Sequence, residues 1–157
     1  VEPPASSGPN LGRVLETCLY VRDVTRARDW YRRVLGLHES TFDPPKQVFF
    51  PLQGTMLLLF NADEKLQNGS GDVPRHGAHG AGHVAFEATR EEIERWTAHL
   101  EAQDVEIETR RSWPEGGESI YFRDPDGNSL ELATRDVWRT ALSDGLPDRL
   151  SRDAGRS

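Results

Sequence analysis

Two stretches of this 157-residue chain follow one order of elements, strand, helix, then three short strands, and that repeat restricts the fold more than any other feature. In the first stretch a strand is expected over Val14–Val21 (VLETCLYV), followed by Asp23 or Thr25 as an N-cap and a helix from Arg26 to Leu35 that ends at Gly36. Trp30, Tyr31, Val34 and Leu35 form its apolar stripe. Short strands are expected over 37–42, 47–50 and 55–60, with Pro44-Pro45 and Gln53-Gly54 as turn signals. The second stretch opens at Gly82 or His83 (HVAFEA). Thr89 and Glu92 form a capping box, and the helix runs to Gln103 with Ile93, Trp96 and Leu100 on its apolar face. Strands are expected over 105–109, 119–123 and 129–133, the last two joined by DPDGN. Setting Glu16 on His83 and Gly54 on Gly127 places Leu58 against Glu131, and Trp30 within one residue of Trp96.

These boundaries divide the chain into an N-terminal arm (1–13) rich in proline and glycine and expected to be flexible, module one (14–60), a glycine-rich linker (61–80), module two (81–134) and a C-terminal tail (135–157). Val137, Trp138, Leu142, Leu146 and Leu150 are spaced to dock the tail as a short helix. The single cysteine, Cys18, rules out an intrachain disulfide and a multi-thiolate zinc site, leaving histidines and carboxylates as metal ligands. A net charge of -7 argues against nucleic acid as a partner. No apolar run approaches the roughly 20 residues that span a bilayer, and the first residues lack a charged segment followed by an apolar one. The chain is therefore expected to be cytoplasmic, with no membrane partner. Lys46 and Lys65, the two lysines, lie in polar connections, a poor setting for Schiff-base chemistry.

Strand alternation sorts the remaining polar residues. His83, Ala85 and Glu87 share one face, as do Glu16, Cys18 and Tyr20, and Ser129, Glu131 and Ala133. A carboxylate between Leu130 and Leu132, and another after Leu15, is costly to bury unless it meets a cation or hydrogen-bond donors.

The segments LETCLYVRDVTRARDWYRRVLGL, GHVAF and YFRDPDGNSLEL resemble the vicinal oxygen chelate superfamily, which includes glyoxalase I, extradiol dioxygenases, fosfomycin-inactivating enzymes and bleomycin-binding proteins. The resemblance covers residues 14–134. It implies an α+β fold of two βαβββ modules, each a half-barrel, that together cup a metal, often with modules exchanged between two subunits. A homodimer acting on a small-molecule substrate is the corresponding expectation. The four ligand positions of the family fall on Glu16, Leu58, His83 and Glu131. Leu58 cannot ligate, and Glu16 stands where the family commonly has His or Gln, so the implied ligands are Glu16, His83 and Glu131. Their charge of -2 suits a divalent ion, with Fe(II) or Mn(II) favoured and Ni(II), Zn(II) or Mg(II) open.

Glu16 and Glu131 are the implied catalytic carboxylates, Glu16 as ligand or as general base. Because Leu58 removes the fourth ligand, the reading leans to a dioxygenase that chelates vicinal substrate oxygens. The alternatives are a glyoxalase I-like lyase or epimerase and a metal-free drug-binding protein of the bleomycin-binding type, for which the acidic balance and four tryptophans speak. A thiol-transferring resistance enzyme ranks last, since only isolated arginines are available for a phosphonate. Trp113, Tyr121, Arg123 and Cys18 are the candidate substrate contacts. Trp113 reads equally as a turn anchor, Arg123 as a partner of Asp124 or Asp126, and Cys18 as packing. His76 and His79, in RHGAHGAGH, read as residues of a flexible cover or as merely solvated, the alternatives being metal ligands or acid–base groups. Trp30 and Trp96 read as core.

Overall fold

A computed structural model describes residues 11–68 and 71–143. Module one comprises β1 (Glu16–Val21), α1 (Val24–Leu35), β2 (Thr41–Asp43), β3 (Gln47–Leu52) and β4 (Thr55–Asn61). Asp23 caps α1 by accepting from the amides of Thr25 and Arg26, and Gly36 closes it in the left-handed conformation that glycine adopts without penalty. Module two comprises β5 (His83–Glu87), α3 (Arg90–Ala102), β6 (Thr109–Ser112), β7 (Glu118–Arg123) and β8 (Ser129–Ala133). The Thr89–Glu92 capping box is formed as expected.

Each module folds into one four-stranded sheet, in the orders β1-β4-β3-β2 and β5-β8-β7-β6, with only the first pair of each parallel. The pairings make the repeat explicit. Glu16 lies opposite Met56 and Cys18 opposite Leu58, just as His83 lies opposite Ser129 and Ala85 opposite Glu131. Leu58 and Glu131 are thus structural equivalents, and so are Glu16 and His83.

Three sequence expectations are corrected. The stretch expected as a linker contains α2 (Ala62–Gln67), which starts at Asn61 because its side chain accepts from the amides of Asp63 and Glu64. The strand expected over 37–42 shortens to Thr41–Asp43, and the one expected over 105–109 starts only at Thr109. Val105 and Ile107 pack against the core without strand pairing, which accounts for the misleading apolar pattern. After β8 the chain forms a 3-10 turn (Arg135–Trp138) and α4 (Arg139–Ser143), while Leu146 and Leu150 lie outside the described residues. Among the described residues, no helix is long and apolar enough to cross a membrane.

The apolar faces of both sheets meet in one core. Leu19, Val21, Leu57 and Leu59 of module one and Ile120, Phe122, Leu130 and Leu132 of module two belong to the same buried cluster. Helix α1 joins them, with Tyr31 stacked on Phe50 of its own module and Trp30 against Phe122 of the other. The DPDGN turn locks the junction. Asp124, 4% exposed, accepts from the Tyr31 hydroxyl at 3.0 Å, from the Asn128 side chain at 2.8 Å and from the amides of Asp126 and Asn128. Asn128 in turn donates to the Tyr20 carbonyl and accepts from the Gly82 amide.

Burial, then the charge of Asp124, holds the Tyr31 phenol well above its ordinary value of 10.0. The folded state therefore holds this proton more tightly than the unfolded state does, so the associated stability is complete below about pH 10 and is lost as pH rises further. Tyr31→Phe is expected to cost about 1–2 kcal/mol at neutral pH, because a bond to a carboxylate is lost. It should also flatten the alkaline limb of the stability curve, which denaturant titrations at pH 7 and above pH 10 would measure.

Candidate metal centre

The faces turned away from the core carry the candidate site residues together with aromatic and apolar neighbours, and each sheet forms its own cavity. The module-two cavity, about 470 Å³, is lined by His83, Tyr121 and Glu131 at its polar end and by Trp113, Trp138 and Leu142 as apolar walls. The module-one cavity, about 590 Å³, is lined by Glu16, Cys18, Tyr20, Phe49, Leu58 and His76 among others. The two share no lining residue.

In the module-two cavity, His83 Nε2 and Glu131 Oε2 are 3.2 Å apart. The other ring nitrogen, Nδ1, lies 2.9 Å from the carbonyl oxygen of Ser129, which can only accept, so Nδ1 carries a proton. In the neutral ring Nε2 then carries a lone pair 3.2 Å from a carboxylate oxygen, a pair of acceptors that a proton or a cation shared between them would reconcile. Orientation of a histidine by a backbone carbonyl on its far nitrogen is the usual second contact of a metal-bound imidazole. The carboxylate of Glu131 is 10% exposed and sits opposite Tyr121 in the β7–β8 pairing. Burial first, then its hydrogen bond to Glu131, pushes the Tyr121 phenol up. The residues present thus fit a divalent ion: a pre-oriented imidazole, a buried carboxylate, and the residual charge to neutralise a cation.

Trp113 is fixed on two sides. Its Nε1 donates to Ser119 Oγ at 2.9 Å, and the Arg111 guanidinium lies 4.1 Å from its ring centroid. Trp138, 64% exposed, and Leu142 wall the cavity from the segment after β8. Gly117 lets that segment approach: a Cβ there would stand 2.4 Å from the Val137 amide nitrogen.

Not every expected residue joins this cavity. Glu16, exposed at the start of β1, and Cys18 lie in the module-one cavity, and among the described residues no three His, Cys, Asp or Glu side chains of one chain gather into a metal-holding group. Arg123 is corrected outright. It donates to both carboxylate oxygens of Glu108 and to the Gly127 carbonyl, away from either cavity, because it stands at the end of β7 beside the loop that leads into β6. His79 pairs with Asp63 at 2.9 Å and lines neither cavity.

His76 does reach one. Its Nδ1 is 2.6 Å from the Tyr20 hydroxyl, and its ring lies edge-on to Phe60. Burial, then the neighbouring Cys18, pushes the Tyr20 phenol up to about 12. The sequence pattern missed this contact because the loop bearing His76 is positioned by α2, whose only local signal was the Asn61 cap.

The family model described as "Glyoxalase/Bleomycin resistance protein/Dioxygenase superfamily" matches residues 13–132. The crystal structure of lactoylglutathione lyase from Agrobacterium tumefaciens is similar at a TM-score of 0.79 and 38% identity, over 82% of this chain and 98% of that one. Metallothiol transferase FosB of Bacillus licheniformis is 31% identical over 112 residues, 66% of this chain and 68% of the relative. A mutant of the fosfomycin resistance protein FosX from Listeria monocytogenes, complexed with Mn(II) and 1S,2S-dihydroxypropylphosphonic acid, shares the fold at a TM-score of 0.59 and 23% identity, over 82% of this chain and 95% of that one.

Proposed function

Because this chain belongs to the glyoxalase/bleomycin resistance protein/dioxygenase superfamily, we propose that it is a metal-dependent small-molecule enzyme whose site is completed by two copies of the chain. The carrying observation is the His83–Glu131 pair, 3.2 Å apart with the far side of the imidazole bonded to backbone. Glu16 is the third ligand, contributed by the module-one cavity of the partner subunit, because the fold of one chain leaves it in a separate cavity. The unit is thus a homodimer with shared sites. A bound divalent ion supplies Lewis acidity toward two neighbouring substrate oxygens. Mn(II) is the favoured ion: the donor set of one imidazole and two carboxylates suits it, and the FosX relative was crystallised with it.

The lean to a dioxygenase gains no support from these relatives, whose names describe a lyase, a thiol transferase and a fosfomycin resistance protein. The reading best supported is a glyoxalase I-like lyase, moving a proton next to the chelated oxygens. Glu131 is held by His83 and Tyr121, so Glu16, an exposed carboxylate that can leave the ion, is the one suited to act as base. Trp113 and Tyr121 bound the substrate on the module-two side and Cys18 on the other. Thiol transfer is the second reading, favoured by the identity to the FosB relative.

Assays of Mn(II)-loaded protein on glutathione hemithioacetals of α-ketoaldehydes, on fosfomycin with thiols and on catechols separate these readings. The expected result is hemithioacetal isomerisation without oxygen uptake. Oxygen consumption on a catechol, with no isomerisation, would overturn it.

A further inference from the structure

The repeat places Leu58 at the position that Glu131 occupies in module two, so the fourth corner of the metal site is apolar. Leu58 stands one pleat repeat, roughly 7 Å, along β4 from the residue opposite Glu16. Around it the module-one cavity is aromatic. Phe49 meets Phe60 edge-on with centroids 5.3 Å apart, and His76 meets Phe60 edge-on at 4.9 Å. Phe60 and Leu58, 5% and 8% exposed, form the floor, and Phe49, half-buried, forms a wall. The polar lining at the far end consists of the Tyr20 hydroxyl and His76 Nδ1, bonded to each other, Gln47, and the buried Lys65, whose ammonium lies 4.5 Å from the Phe60 centroid, so an incoming ring meets Phe49 and Leu58 and only the edge of Phe60.

From this we infer that the substrate carries an aryl group on the carbon next to its paired oxygens, and that this ring seats on Leu58 and Phe49 and against the edge of Phe60. The inference rests on the shared metal site proposed above, since it is the Glu16 ligand that brings this cavity to the substrate. Rings packed edge-on accept a further ring in the offset or edge geometry that aromatic pairs favour, and an alkyl chain would leave those contacts unmade. A substituent as small as methyl would leave most of the apolar floor wet.

Lactate and mandelate isolate this subsite, because both present a hydroxyl beside a carboxylate and differ only in methyl against phenyl. Calorimetric titration of the Mn(II)-loaded protein should find mandelate binding 10- to 100-fold more tightly, the order expected for burying a phenyl ring. Phe49→Ala and, separately, Leu58→Gln should narrow that ratio several-fold. Equal binding of the two acids would overturn the aryl subsite while leaving the metal site standing. Failure of both acids to bind protein that demonstrably holds Mn(II) would overturn the chelation reading, and the subsite with it. A preference that survives both substitutions would place the ring elsewhere and likewise overturn the assignment.

Discussion

Glu131→Ala is expected to weaken the affinity for Mn(II) by at least about 100-fold, more than is usual for loss of a residue that only orients a ligand. The direction follows from the site itself. Glu131 is a buried carboxylate facing a ring nitrogen whose partner nitrogen is already bonded to the Ser129 carbonyl. Removing it leaves a half-exposed imidazole as the only ligand that module two supplies. Glu131→Gln separates charge from shape: the amide fills the same space between Leu130 and Leu132 and still offers an oxygen to Tyr121, but it contributes no negative charge. Glu131→Gln should therefore fold like the parent while losing the ion. Metal analysis after dialysis against a competing chelator, with far-ultraviolet circular dichroism on the same samples, checks both statements. Retention of the full metal complement by both variants would show that Glu131 is not a ligand.

The elements were legible in the sequence where local chemistry was strong. The Asp23 cap, the Thr89–Glu92 box and the DPDGN turn each specify a boundary through hydrogen bonds that close within a few residues, and β1, α1, β5, α3 and β8 lie at or near the positions they imply. Strand alternation also sorted the faces: Leu19, Val21, Leu130 and Leu132 are core, and Cys18, Tyr20 and Glu131 line cavities.

What escaped was long-range. Arg123 has the alternation of a substrate contact, but its partner, Glu108, is 15 residues away in a segment with the apolar pattern of a strand that pairs only from Thr109 onward. His76 finds Tyr20 across 56 residues through a loop that α2 positions. Most consequentially, parity puts Glu16 on a cavity-lining face but does not say which cavity. Packing the two modules back to back through α1 and the Asp124 turn assigns Glu16 and His83 to different cavities of one chain.

That separation gives the central claim its most direct test, and metal content serves as a readout that needs no substrate. Glu16→Ala and His83→Ala homodimers each carry one defect in both sites, so neither should hold Mn(II) tightly. After unfolding and refolding together, half of the dimers are mixed, and a mixed dimer pairs the intact Glu16 of one chain with the intact His83 and Glu131 of the other. One site in each mixed dimer is then complete, so the mixture should recover about a quarter of the tightly held Mn(II) of the unsubstituted protein. A mixture that holds no more ion than the average of its two parents would contradict a shared site.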